Sequence, residues 1–286
     1  LKKAYDRISR INIDDLSGFN SFKEELVLIE SDIILKMGLS QNYSLQIRKL
    51  NRISNSFQKI YFLILLNPKG DTSKKFDYDD FEKNHELESY KNDIRTLNTL
   101  IENNEYELSD AEIDNLTHES KKPIIKQLLI NLINSNKPIR ADEILIKYND
   151  LLQDMESKFY LLINNLNKFQ KEHPQKELSK SELQHLNKLK DEFFKYEYYY
   201  RDFDKKIKSS YYYNLSITLC RLKNKLAFNY FTFFKEDEKL LLGLIHFSKV
   251  AGFFNEIIQI IEGSPFKNKT EINSEWILTK FEIGHY

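Results

Sequence analysis

Apolar residues recur every three or four positions along most of this chain, the spacing of helices that bury one face. After the pair Ser21…Glu24, the residues Phe22, Leu26, Ile29, Ile33 and Met37 follow that spacing until Gly38. A Ser with Glu three positions on is a capping box, in which each side chain takes up a backbone N–H at the helix start. Ser109…Glu112 and Ser179…Glu182 repeat it. A second helix is expected from Ser44 to Leu66, stopped by Asn67-Pro68-Lys69-Gly70, and its end, Ile60–Leu66, is apolar on every side and therefore buried. Phe81, Tyr90, Ile94, Leu97 and Ile101 line one face of a further helix, and Pro123 and Pro138 bracket a short one at Ile124–Ile133.

The longest pattern lies in the middle of the chain. Leu145, Tyr148, Leu152, Met155, Phe159, Leu162, Leu166 and Phe169 keep a three–four alternation over four heptads before Pro174. Beyond Ser179, Leu186, Leu189, Phe193, Tyr196, Tyr200, Phe203 and Ile207 repeat it, and Tyr212, Leu215, Leu219, Leu222 and Leu226 form a third register. Two heptad helices joined by a short loop run antiparallel, and their bulky aromatic seams need further helices to cover them. After Lys235, Leu240–Val250 reads as a helix ended by Gly252, and Asn255–Glu262 as a second. A strand in Ile272–Tyr286 would complete a helix-turn-helix or winged-helix outline. The expected fold is thus all-α, an antiparallel helical bundle with a long heptad-patterned hairpin. Its parts would be residues 1–138, the hairpin bundle 139–235 and the helix-turn-helix-like segment 236–286.

Composition supports helices. Seven Gly and five Pro in 286 residues are few for a sheet protein, whose turns consume both. Apolar residues at 41% suffice for a substantial core. Cys220 is the one cysteine, which excludes an intrachain disulfide and a Cys-rich zinc site, points to a reducing, cytoplasmic setting, and reads as a buried small hydrophobe. The longest apolar run, Ile60–Leu66, is far shorter than the roughly 20 residues of a membrane span, and no signal peptide pattern opens the sequence. The first residue, Leu1, and the last, Tyr286, read as the ends of a truncated chain.

Charge is segregated although the total is zero. Lys205 to Lys235 holds seven Lys and Arg and no acid, interleaved with Tyr211-Tyr212-Tyr213, Phe228, Tyr230 and Phe231. Asp77–Glu119 holds fourteen acids against Lys83, Lys91 and Arg95. Basic residues beside aromatics are the footprint of a nucleic-acid partner, with Lys205, Lys206, Lys208, Arg221, Lys223 and Lys225 as the candidate phosphate ligands. Two other readings stand beside it. In one, the aromatics pack the bundle while the cations solvate its outer face; in the other, the basic run meets the acidic segment of the same molecule or of a second copy.

Nothing in the sequence points to catalysis, a metal or a cofactor. Phosphate-binding Gly-rich loops, a nucleophile elbow and His-Glu-x-x-His are absent, and none of the eight Arg residues precedes a His at the spacing of HEPN-type helical ribonucleases. Asp110, Asp114 and His118 share one face at four-residue intervals, but three consecutive turns span more than about 10 Å and read as a solvated polar face. His85, His173 and His185 stand among charged residues as surface groups, and His246 is expected half-buried with one hydrogen bond.

The stretch Leu240-Leu241-Leu242-Gly243-Leu244-Ile245-His246-Phe247 through Gly252-Phe253-Phe254-Asn255 resembles the C-terminal region of the RteC family, regulators of excision and mobilisation of tetracycline-resistance elements. Leu189-Lys190-Asp191-Glu192-Phe193-Phe194 and Tyr199-Tyr200-Arg201 resemble, in the same order, that family's Lys/Phe-rich helix and Tyr-Tyr-Arg segment. The family's Trp-Thr is replaced by Phe233-Phe234-Lys235, and the first 140 or so residues have no counterpart there. The resemblance implies a non-enzymatic, DNA-binding regulator of a mobile element, with the basic run on phosphates and Leu240–Glu262 presenting a helix to a groove. A protein-interaction scaffold is the rival expectation, and a bacterial defence effector without recognisable motif the third.

Overall fold

The computed structural model describes the chain except at residues 13–15, 17–19, 55, 67–84, 104, 174–177, 201–204 and 285–286, together with the side chains of 85–87 and 205–207. It is all-α, with no strand among the described residues. The helices are α1 (Lys2–Ile8), α2 (Asn20–Lys36), α3 (Tyr43–Leu50), α4 (Phe57–Leu66), α5 (Lys91–Glu102), α6 (Asp110–Asp114) and α7 (His118–Asn134). They continue as α8 (Pro138–Lys147), α9 (Met155–Glu172), α10 (Lys180–Tyr200), α11 (Lys205–Arg221), α12 (Glu238–Ala251), α13 (Phe254–Glu262) and α14 (Thr270–Glu282). Two compact units form, Leu1–Asn167 and Lys168–Tyr286. The division therefore falls within α9 and not near Pro138. Pro138 is no linker residue: it opens α8 as a buried first-turn proline, and its carbonyl accepts from Asn164 Nδ2 at 3.0 Å.

In the first unit, α4 stands between two cores. Phe57 and Ile60 enter one with α5, α7 and α8, whereas Phe62, Leu63 and Leu66 enter the other with α2 and α3. A helix walled on both sides must be apolar around its circumference, which explains Ile60–Leu66. The single helix expected over 44–66 is split, because Ser56 Oγ accepts from the Lys59 N–H at 3.2 Å and starts α4 afresh. Asn67–Gly70 and Phe81 lie outside the described residues.

Several helix starts differ from the expected ones for similar reasons. The Ser109–Glu112 and Ser179–Glu182 boxes form reciprocally. The Ser21–Glu24 box does not: α2 begins at Asn20, and Glu24 instead accepts from the backbone and hydroxyl of Ser54. Helix α7 starts at His118, upstream of Pro123, which lacks the N–H that would bond the Glu119 carbonyl. Asp93 of α5 secures that start, accepting from Thr117 N at 3.0 Å and Thr117 Oγ1 at 2.7 Å.

The four-heptad pattern from Leu145 is not one helix. Its first part ends α8, and Leu145, Tyr148 and Leu152 pack into the α7 core. Helix α9 begins after Asp154, whose Oδ1 accepts from Ser157 N at 3.0 Å as an N-cap. In the second unit, α10 buries Leu186, Leu189, Phe193 and Tyr200 along the expected seam and packs on α11, which packs in turn on α12 and on the 3-10 segment Lys225–Phe233. Phe169, near the end of α9, stacks on His185 of α10, and His173 Nδ1 lies 3.0 Å from Glu182. Helices α12 and α13 match the expected pair around Gly252, which lies in the left-handed region at φ 83°. The expected strand beyond them is a helix, α14. Among the described residues, no helix is long and apolar enough to cross a membrane.

Candidate nucleic-acid interface

The basic–aromatic run becomes α11 and the 3-10 segment behind it, and most of its aromatics face inward. Tyr211 is fully buried, stacks on Tyr200 at 5.2 Å and donates its hydroxyl to the Phe193 carbonyl. Tyr212 is sandwiched with Phe233 at 4.0 Å and Tyr230 at 5.3 Å, all near parallel. Tyr213 meets Phe234, and Phe231 is buried beside it. Phe233 is 41% exposed, so one ring of the stack keeps a partly open edge. The core of the second unit thus accounts for the aromatic density that marked this stretch.

Four of the six candidate cations have described side chains, and those four sit in different surroundings. The side chains of Lys205 and Lys206, in the first turn of α11, lie outside the described residues. Lys208 is half-buried and Lys223 exposed. Arg221, the last residue of α11, is an internal anchor. Its Nη2 donates to the His173 carbonyl at 2.6 Å, and the guanidinium lies 5.1 Å from the Phe169 ring and 5.8 Å from that of Phe247. Its Nη1 is buried, and burial pushes the group's pKa down while the charge of Glu182 opposes the shift. The guanidinium is thus half-buried, with its Nη2 already committed to the His173 carbonyl. Lys225 is exposed but pairs with Glu256 at 2.6 Å, which lowers the carboxyl pKa of Glu256.

Lys223 has a local structural role. It closes α11 with φ 53°, the Lys223 N–H bonding the Cys220 carbonyl and the Asn224 N–H the Leu219 carbonyl. This is a Schellman ending, in which glycine usually takes the left-handed position. The third heptad register accordingly stops near Leu219, and Leu226 is left exposed.

Two acids of the acidic segment, Asp110 and Asp114, find cations within the first unit. Asp110 meets Arg140 at 2.7 Å and Lys147 at 3.0 Å; Asp114 meets Lys147 at 3.0 Å and accepts from the Tyr148 hydroxyl at 2.8 Å. Those hydrogen bonds hold both carboxyls below the usual range. Asp110 and Asp114 belong to α6, but His118 begins α7, so the three do not share one helix face. No group of three metal-ligating side chains occurs among the described residues. Cys220 is buried beside Ser248 Oγ at 3.5 Å, and burial pushes its thiol up to about 12, far from a nucleophile's range. His246 is exposed, contrary to the half-buried expectation, with its ring edge against Phe247.

The sequence of α13 contains Glu256 and Glu262 and no Lys or Arg. Around it, Lys249 pairs with Glu275 at 2.8 Å and Lys269 with Glu238 at 2.6 Å.

Helix α14 is apolar on both sides: Ile272 is buried against the unit, while Ile277, Leu278 and Phe281 are 54%, 51% and 65% exposed. Beside them Lys280 lies 3.9 Å from the ring of Trp276, whose Nε1 reaches Glu262. The run Trp276-Ile277-Leu278 lies in the Ile272–Tyr286 segment for which a strand is expected, so an outward apolar helix face is not foreseen there.

No family model, curated protein or solved structure matches this chain.

Proposed function

We propose that this protein is a helical binding protein that engages a protein partner, with the outward face of α14 as a contact surface. The observation that carries the reading is the exposure of Ile277, Leu278 and Phe281 on a helix whose opposite side is already buried. Outward apolar residues clustered on one helix are characteristic of interaction surfaces. The anchoring of Arg221, the pairing of Lys225 with Glu256 and the acidic character of α13 weigh against phosphate recognition by this unit.

A DNA-binding regulator of mobile-element excision, the reading implied by the RteC resemblance, is the second reading. It is favoured by Lys208 and Lys223 on α11 and its end, and by the partly open edge of Phe233. One pair of measurements separates the two. Proximity cross-linking in the native cell should recover a protein bound to the parent chain and lose it with Ile277→Asp/Phe281→Asp, at an unchanged melting temperature. Fluorescence polarisation with a DNA duplex should show no binding at low salt. Tight DNA binding, weakening with log salt at a slope of about −0.9 per phosphate contact, would overturn the protein-partner reading in favour of the second.

A further inference from the structure

We draw no further inference here: the strongest candidate, a specific occupant for the outward apolar face of α14 at Ile277, Leu278 and Phe281, carries nothing because nothing in the structure shows what covers that face.

Discussion

Tyr213 and Gly243 touch where α11 packs on α12: a Cβ built on Gly243 would overlap the Tyr213 hydroxyl and lie 3.1 Å from its Cζ. The glycine is what lets the two helices approach with a tyrosine between them. The ring is held by a perpendicular contact with Phe234 at 5.7 Å, which limits its room to withdraw.

Gly243→Ala should therefore destabilise the protein even though alanine favours a helix by about 1 kcal/mol over glycine. Forcing a methyl group into a filled site costs about 1–3 kcal/mol. Tyr213→Phe removes the overlapping oxygen and should recover part of the loss in the double variant. Thermal melting of the two single variants and the pair is the measurement. A Gly243→Ala protein that melts above the parent would show that the contact is soft.

Lys223→Gly is expected to stabilise. A side chain at φ 53° bears the steric penalty of the left-handed region, about 1–2 kcal/mol, which glycine escapes. Glycine's greater freedom in the unfolded chain takes back some of that gain, leaving about 0.5–1 kcal/mol. Chemical denaturation should show a higher midpoint with an unchanged slope. The same substitution at Asn136, also at φ 54° where α7 ends, should gain less, because asparagine tolerates that region better.

Arg221 and Lys225 should behave oppositely although they are neighbours in sequence. Arg221→Met removes a charged hydrogen bond to the His173 carbonyl and the cation over Phe169, so a loss of about 1.5–3 kcal/mol is expected. Lys225→Gln removes an exposed ion pair with Glu256, and its effect should stay within about 0.5 kcal/mol. Equal effects in urea unfolding would contradict the assignment of Arg221 as an anchor.

Asp154 contributes to the response of the first unit to acid, beside Asp110, Asp114 and Glu156, whose carboxyls are also lowered. Burial alone would raise its carboxyl, but the bonds from Lys122 and the Ser157 N–H and the charge of Lys126 prevail and hold it far below the usual range. A depressed folded-state pKa gives stability that is present above the unfolded value near 4 and is lost as pH falls through the folded one. Asp154→Asn keeps an N-cap and removes the charge, so its deficit at pH 7 should shrink as pH drops below about 4. Asp154→Ala also removes the cap, adding roughly 1 kcal/mol at every pH. Denaturation across pH on both variants separates the ion pairs, with Lys122 at 2.9 Å and Lys126 at 3.0 Å, from the cap. A constant gap for Asp154→Asn would show that the charge contributes nothing.

The amino-acid sequence by itself determined the helical class, the Ser109 and Ser179 caps, the left-handed ends at Gly38 and Gly252 and the seam Leu186–Leu189–Phe193. Each of these rests on backbone groups and side chains within about one turn of each other, and such short-range physics is written in neighbouring residues. Tertiary structure decided what local signals left open. An unbroken heptad from Leu145 to Phe169 is equally compatible with one helix or two, and the break at Asp154 is chosen by contacts with Lys122 and Lys126 on α7. Arg221 reads as surface charge in a basic run until the His173 carbonyl, 48 positions away, is brought to it. The acids of α6 read as a free patch until α8 supplies Arg140 and Lys147. Whether a charge meets water or a partner depends on which elements fold together, and that is set by the burial of distant apolar faces, which no single stretch of sequence contains.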